Sequence, residues 1–133
     1  MSRENVDAVH RANDDFNRRD LDGFLALMNP AIEFMPYERA LQGGDPYRGH
    51  SGVREWWQDS FAVIPNLRVE TRDVRGAGNR TFTGGLLRGE GAGSGAAFER
   101  PLWQAARWQD GKATWWRAYE NEAEALAAAG LSE

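Results

Sequence analysis

The chain has no cysteine and only two histidines, His10 and His50, among its 133 residues. Without cysteine it can form neither a disulfide nor a thiolate nucleophile, and two histidines cannot complete an all-histidine zinc site. We therefore expect no metal and no other cofactor. A mixed site of histidine and carboxylate ligands stays open from the residues alone.

Long apolar runs and an excess of positive charge are also missing. No stretch of about 18 apolar residues occurs, as a membrane-spanning helix would need, and the N-terminal segment is polar, unlike a signal peptide. The formal net charge is -4, whereas sequence-independent nucleic-acid binding depends on lysine and arginine neutralising phosphates. We expect a soluble, cytoplasmic protein that binds neither membranes nor nucleic acid.

What the chain does have is enough apolar material for one domain, which we place at residues 1–133. Hydrophobic residues make up 41% of the sequence, and a chain of this length buries about two-thirds of the surface that its unfolded form exposes. Its six tryptophans need a large core, a pocket or an interface, because each buries about 150 to 250 Å². The high content of alanine, glycine and arginine is typical of a GC-rich bacterial source.

Apolar spacing predicts two helices in the first thirty residues. Between Val6 and Phe16 apolar and small residues recur every three or four positions, and Asn13 lies on the same face. Asp20 is placed to cap a second helix, whose apolar stripe runs to Met28 before Asn29-Pro30 ends it. The two helices should form a tight hairpin.

A short strand and a third helix follow. Residues 31–36 alternate, with Ile32 and Phe34 on one side and Met35 on the other, and residues 38–49 read as a loop. Ser51 can cap the third helix, which Pro65 ends. Its apolar stripe consists of Val53, Trp56, Trp57, Phe61 and Ile64.

The rest of the chain predicts four strands and a short last helix. The strands are placed at 67–75, 80–90, 97–109 and 112–120, and the helix at 122–129. Asp110-Gly111 predicts a tight type I′ turn that pairs the last two strands, because both turn positions need a positive φ. Helices followed by an antiparallel meander give an α+β architecture with helices on one face of the sheet.

Three motifs carry a resemblance to a known family. They are Asn-x-x-Asp-x-Asp at 17–22, Tyr-Arg-Gly-His-Ser-Gly at 47–52, and Tyr119 leading to Glu-Ala-Leu-Ala-Ala-Ala-Gly-Leu at 124–131, within the order of segments described above. In this order and these motifs the chain resembles SnoaL-like proteins of the NTF2-like superfamily. The resemblance implies a cone, in which a curved antiparallel sheet packs against three N-terminal helices around an apolar pocket.

The resemblance does not extend to the catalytic residues of three enzyme types in that superfamily. The roles of ketosteroid isomerases fall on Ala12, Met35 and Gln104, none of which can do the required proton chemistry. The Arg-x-Asp pattern of limonene-epoxide-hydrolase-like members is missing at 98–103, and no histidine follows Ile64 to match the polyketide cyclases. The likeness therefore concerns the fold and the pocket.

Strand alternation predicts which residues face that pocket, because side chains on one face of a strand repeat every two residues. With Gln104 inward, its face also carries Leu102, Ala106 and Trp108, and across the hairpin Trp116, Ala118 and Glu120. Trp115, Arg117 and Tyr119 then point outward. A β-bulge would reverse part of this pattern.

We expect Glu120 and Tyr37 to be the catalytic residues. A carboxyl near tryptophan in an apolar cone would have its pKa raised by desolvation, and Tyr37 could donate a hydrogen bond at the mouth; the alternatives are a solvated glutamate and a packing tyrosine. The expected ligand-contacting residues, several of which could equally be core, are Asn13, Phe16, Phe34, Met35, Trp57, Phe61, Gln104, Trp108 and Trp116.

Two functions stay open at this point. The first is a protein that encloses a small apolar, aromatic or polycyclic molecule, either as a cofactor-free isomerase, cyclase or hydrolase or as a binder. The second is a non-catalytic ligand-binding or dimerisation module. In that case we expect a homodimer through the outer sheet face, where Trp103, Trp115 and Tyr119 would be buried.

Overall fold

A computed structural model describes residues 2–91 and 93–131 of the chain. Within these ranges the elements follow one another in the order α1 Ser2–Asn17, α2 Leu21–Ala26, β1 Met28–Met35, α3 Tyr37–Gln42, β2 Tyr47–Arg48, α4 Gly49–Val63, β3 Arg68–Ala77, β4 Arg80–Glu90, β5 Ala97–Gln109, β6 Lys112–Tyr119 and α5 Glu122–Ala128. The predicted α+β class is confirmed, and the four late strands begin and end within two residues of their predicted positions.

The sheet has the strand order β2-β1-β6-β5-β4-β3. Strands β3 to β6 form the expected antiparallel meander, but β1 runs parallel to β6. The end of α2 fixes this arrangement, because Ala113 N–H donates to the Leu27 carbonyl at 2.9 Å and Lys112 Nζ donates to the Ala26 carbonyl at 2.8 Å. Strand β1 thus leaves α2 beside the start of β6 and follows it in the same direction.

Helices pack on both faces of the sheet, contrary to the prediction of one covered face. Helices α1, α2 and α4 contribute to the main core on the inner face. Helix α5 lies on the outer face, where its Ala125, Leu126 and Ala129 are buried with Phe82 and Ala105. Small alanine side chains let the helix approach closely enough to cover the apolar outer side chains of β4 and β5.

Three local predictions differ from the structure. Helix α2 ends at Ala26, so Met28 begins β1 and does not belong to the helical stripe. The predicted loop at 38–49 contains α3, which ends at Gly43 in the left-handed region with φ 68°. Helix α4 begins at Gly49, before Ser51, and has no side-chain cap. Good helix formers between Tyr37 and Gly43 were the local signal for α3.

The predicted hairpin and its inner face are confirmed. Asp110 and Gly111 have φ values of 52° and 78°, as a type I′ turn requires. Gln104 pairs with Ala118 and Ala106 pairs with Trp116, so these side chains share a face. An irregularity between Arg107 and Trp108 shifts the register near the turn.

Candidate functional site

An inner cavity of about 50 Å³ lies between the sheet and helices α1 and α4. Its wall is mostly apolar and comes from α1, α2, α4, β1 and the centre of the meander. Its aromatic lining consists of Phe16, Phe24, Phe34, Tyr37, Trp56 and Trp116. These side chains reach one space because the curved sheet brings β1 and β6 opposite α4.

Aromatic rings fill most of the hollow that the cone was expected to enclose. The Phe16 ring centroid lies 5.0 to 6.2 Å from those of its neighbours Phe24, Trp56, Trp57 and Phe61. The remaining 50 Å³ is less than the cavity of about 150 Å³ that binds benzene in an engineered protein. In this arrangement of side chains the inner cavity alone is too small for an aromatic guest.

A second space, which we call the vestibule, adjoins the inner cavity and has a volume of about 280 Å³. The two spaces share six lining residues, namely Pro36, Glu38, Trp56, Ser60, Leu67 and Leu87. Trp56 is half-buried and lines both. With the vestibule included, the space reaches the lower end of the range of about 300 to 1,000 Å³ that is usual for small-molecule sites.

Two polar atoms in the inner cavity wall lack a partner among the residues described. They are Trp116 Nε1, on a side chain that is 3% exposed, and Gln104 Oε1. An indole N–H can only donate and an amide oxygen can only accept. Leaving such a buried atom unpaired costs about 1 to 3 kcal/mol. The wall therefore contains one unpaired donor and one unpaired acceptor, both buried.

Charge is confined to the mouth. Among the described residues that line the inner cavity, the ionisable ones are Tyr37 and Glu38, at the start of α3. The Tyr37 ring is half-buried with the Arg100 guanidinium 3.9 Å from its centroid, and Glu38 is exposed. Deeper in the cavity the polar groups are neutral, so they can bind a ligand but cannot exchange a proton with it near neutral pH.

The structure brings six of the predicted site residues to the inner cavity. These are Asn13, Phe16, Phe34, Tyr37, Gln104 and Trp116. Asn13 also ties α1 to the sheet, because its Nδ2 donates to Thr71 Oγ1 at 3.0 Å. Asn13 is therefore placed both to contact a ligand and to hold α1 against the sheet.

Three predicted ligand-contacting residues belong to the core instead. Trp57 and Phe61 do not line the cavity: Trp57 is buried against Phe16 and Phe24, and Phe61 lies between Phe16 and the Arg19 guanidinium, 3.8 Å from its ring. Their helical neighbour Trp56 takes the position on the cavity side. Trp108 shares the inner face but lies behind Trp116, and its Nε1 donates to Thr81 Oγ1 at 2.9 Å.

Met35 and Glu120 lie outside the cavity, so their expected placement is wrong. Met35 pairs with Arg117 and borders outer grooves, since it alternates with inward Phe34 along β1. Glu120 follows the last residue of β6 and is exposed beside α5. Because the strand ends at Tyr119, the period of two no longer directs the next side chain inward.

Among the cavity residues that the sequence did not predict are Phe24, Trp56, Ser60 and Glu38. Phe24 and Trp56 belong to apolar helical stripes, but a stripe of about 100° does not show which members face a gap and which face the core. Glu38 lay in a segment expected to be a loop. Its position at the mouth depends on α3, which closes the cavity there.

The outer face combines aromatic and cationic side chains. Trp103, Trp115 and Tyr119 are half-buried there and pack against the α5 cluster. Burial raises the pKa of Tyr119, and the nearby Arg117 and Arg80 partly oppose that rise. Helix α5 thus covers part of the surface expected to form a homodimer, and the dimer stays a prediction.

Metal-binding clusters and membrane-spanning helices are both absent from the part of the chain that the structure describes. It contains no group of three or more histidine, cysteine, aspartate or glutamate side chains arranged to hold a metal ion. None of its helices has the length and hydropathy to cross a membrane. His50 Nε2 lies 2.9 Å from the Met28 carbonyl oxygen, so the imidazole ring contacts the backbone of β1.

A curved sheet closed by helices around an apolar cavity defines an NTF2-like, or cystatin-like, protein. The model of the SnoaL-like domain family matches residues 9–116. Because this match covers most of the sequence, the chain belongs to the SnoaL-like family. The resemblance that the sequence motifs carried is confirmed.

Solved structures agree with this fold. An NTF2-like protein of unknown function from Burkholderia pseudomallei is 23% identical, with a TM-score of 0.79 over 97% of this chain and 98% of its own. A putative SnoaL-like polyketide cyclase from Jannaschia sp. is 19% identical, with a TM-score of 0.79 over 97% and 92%. TerC, co-crystallised with polyporic acid, is 23% identical, with a TM-score of 0.78 over 95% and 97%. No match was found among curated protein sequences.

Proposed function

We propose that this protein binds a small, mostly apolar aromatic molecule in the joined space of inner cavity and vestibule. The observation that carries the proposal is that two spaces with shared walls meet at Trp56, one of about 50 Å³ and one of about 280 Å³. Aromatic walls favour aromatic guests through offset-stacked and edge-to-face contacts. Membership of the SnoaL-like family and the fold shared with TerC, which was co-crystallised with polyporic acid, support the same interpretation.

Binding requires Trp56 to move, because the inner cavity by itself is too small. The Trp56 ring stacks on Phe16 and Phe24, with centroid distances of 5.7 and 6.3 Å. It is half-buried and sits on the vestibule side of this cluster. A ligand ring that takes its place would keep the same aromatic neighbours, so the exchange costs little contact area.

A blocking substitution tests the proposal. Ser60→Trp fills the shared wall with an indole, and Ala62→Trp adds the same side chain at an exposed position of α4. We expect the wild-type protein and Ala62→Trp to bind β-naphthol in equilibrium dialysis and Ser60→Trp to bind it at least about tenfold more weakly. Equal binding by the two variants, or no binding by the wild-type protein, would overturn the proposal.

We further propose that the protein acts on this ligand as a cofactor-free isomerase, cyclase or hydrolase. The acid–base groups that line the inner cavity are Tyr37 and Glu38 at its mouth, and the vestibule adds Tyr47 and Asp59 to Glu38. Glu120 borders a different groove. We assign any proton transfer to Glu38 and Tyr37, because Glu38 lines both spaces and Tyr37 lines the inner cavity beside it.

A second candidate function is self-association through the outer sheet face. After α5 has packed, Trp103, Trp115 and Tyr119 are still only half-buried, and they lie on neighbouring strands in register, with Trp103 opposite Tyr119. Burial of such aromatic side chains against a second copy would supply the apolar centre that homodimer interfaces have. This function and ligand binding use opposite faces of the sheet and are compatible.

A further inference from the structure

Two residues that line the inner cavity carry a specific pair of unpaired hydrogen-bonding atoms. Trp116 Nε1 and Gln104 Oε1 are both buried and both lack a partner among the residues that the structure describes. Their residues sit on adjoining strands, where Gln104 is opposite Ala118 and Trp116 is opposite Ala106. This diagonal relation on one face brings long side chains within reach of a shared group.

We infer that the ligand carries a neutral hydroxyl or hydroxy-carbonyl group that accepts a hydrogen bond from Trp116 Nε1 and meets the Gln104 amide. The inference rests on the proposed function, because it identifies the buried end of the same ligand. A hydroxyl satisfies both atoms at once, since its oxygen accepts from the indole while its O–H donates to the amide oxygen. The indole is the fixed half of this pair because it can only donate.

A neighbouring tryptophan shows that the unpaired indole is not a general property of this core. Trp108 lies against Trp116 with ring centroids 5.7 Å apart, and its Nε1 donates to Thr81 Oγ1 at 2.9 Å. The fold thus supplies a hydroxyl for one buried indole, whereas the adjacent one, on a residue that lines the cavity, has no partner among the described residues. Buried polar atoms are nearly always paired in folded proteins, so an external partner is the expected completion.

The electrostatics require that this end of the ligand be neutral. No arginine, lysine or histidine is among the described residues that line the inner cavity, and Glu38 at the mouth repels an anion. A buried carboxylate would lose its hydration without gaining a counter-charge. A hydroxyl group loses much less hydration free energy and regains it through hydrogen bonds to Trp116 Nε1 and Gln104 Oε1.

The volumes of the two spaces indicate where the polar group and the aromatic body of the ligand lie. The inner cavity of about 50 Å³ has room for the polar group and the atoms next to it, since one water occupies about 30 Å³ in the liquid. The aromatic body then replaces Trp56 and extends into the vestibule of about 280 Å³. The polar group enters first and the apolar body follows.

Three matched compounds test the inference on the wild-type protein. Naphthalene, β-naphthol and β-naphthoate share one ring system, and at neutral pH the phenol is uncharged and the carboxylate is ionised, as for the tyrosine and glutamate side chains. We expect β-naphthol to bind about tenfold more tightly than naphthalene, corresponding to one well-made buried hydrogen bond, and β-naphthoate to bind more weakly than β-naphthol. The Trp116 indole N–H resonance should shift on adding β-naphthol and much less on adding naphthalene.

Two variants test whether Trp116 and Gln104 cause the preference for β-naphthol over naphthalene. Trp116→Phe keeps an aromatic ring and removes the N–H, and Gln104→Met keeps the length of the side chain and removes the amide. Each should reduce the preference for β-naphthol over naphthalene to about threefold or less. Trp115→Phe, on the outer face, makes an equivalent change away from the cavity and should keep the preference.

The outcomes separate this inference from the proposed function. If naphthalene and β-naphthol bind equally, or β-naphthoate binds most tightly, the inference is wrong while ligand binding stands. If none of the three compounds binds, the proposed function fails and the inference fails with it. The compound series and the indole resonance use the wild-type protein, so they decide the matter even when a core variant does not fold.

Discussion

The indole ring of Trp56 lies with its centroid 4.6 Å from that of Phe34, at an angle of 56° between the ring planes. Phe34 belongs to the inner cavity, and Trp56 belongs to both the inner cavity and the vestibule. This contact between α4 and β1 therefore separates the two spaces.

Trp56→Ala should join the two spaces and let small aromatic molecules enter freely. Truncation of a buried aromatic residue costs about 3 to 5 kcal/mol, and the half-exposed position of Trp56 should keep the loss below that range. Benzene should raise the melting temperature of this variant more than that of the wild-type protein, because a ligand that binds only the folded state stabilises it. Differential scanning calorimetry with and without benzene measures both effects.

Trp57→Ala is the control for that experiment. Trp57 is 7% exposed and does not line either space, so its loss should cost the full amount of about 3 to 5 kcal/mol. A benzene response equal to that of Trp56→Ala would show that Trp56 has no special place between the two spaces.

Asn17 and Val69 should stabilise the junction of α1 and β3. The Asn17 side chain donates to the Val69 carbonyl at 2.9 Å and accepts from the Val69 N–H at 2.8 Å. Asn17→Ala should lower the free energy of unfolding by about 1 to 2 kcal/mol, because it removes both hydrogen bonds at a partly solvated site. Urea denaturation measures the change.

Asn17→Asp is the matched variant, since it keeps the acceptor and removes the donor. We expect about half the loss found for Asn17→Ala. No measurable loss in either variant would mean that water replaces the Asn17 amide fully.

Glu38 should control the binding of charged ligands at the mouth. Glu38→Gln removes a like charge from the shared wall of the two spaces, so β-naphthoate should bind about two- to threefold more tightly, with less gain at high salt. Glu120→Gln makes the same chemical change in another groove and should leave this affinity unaltered. Equal effects of the two substitutions in equilibrium dialysis would contradict the assignment of the mouth.

Turnover of a substrate should depend on Glu38 and on its neighbour Tyr37. We expect Glu38→Gln or Tyr37→Phe to lower kcat by about 10²-fold or more, which is the usual contribution of general acid–base catalysis. Glu120→Gln should keep full activity. The opposite pattern would return the catalytic role to Glu120.

The outer sheet face should mediate self-association. Trp115→Asp places a charge among aromatic side chains on that face, so it should shift a wild-type dimer towards monomer in sedimentation velocity. Val63→Asp changes a residue of α4 that is 64% exposed and should leave the sedimentation coefficient unchanged. A wild-type protein that sediments as a monomer at all concentrations would remove the dimer proposal.

Local sequence signals determined most of the secondary structure. Asp110-Gly111 specified a turn with two positive φ values, and the strands on either side kept the predicted alternation that puts Gln104 and Trp116 on one face. Asp20 caps α2 as expected, accepting a hydrogen bond from Gly23 N–H at 2.9 Å. Turn chemistry, capping and a period of two are properties of neighbouring residues, so they can be read without the rest of the chain.

Only the tertiary structure decided which of the inward residues form a site. Trp56 and Trp57 are neighbours on one helix, yet the first borders the vestibule and the second is core. Trp108 and Trp116 share one sheet face, yet among the described residues only the Trp108 indole N–H finds a partner, Thr81. Cavities and unpaired atoms arise where distant elements fail to fill or satisfy one another, and that depends on packing across the whole fold and not on any local pattern.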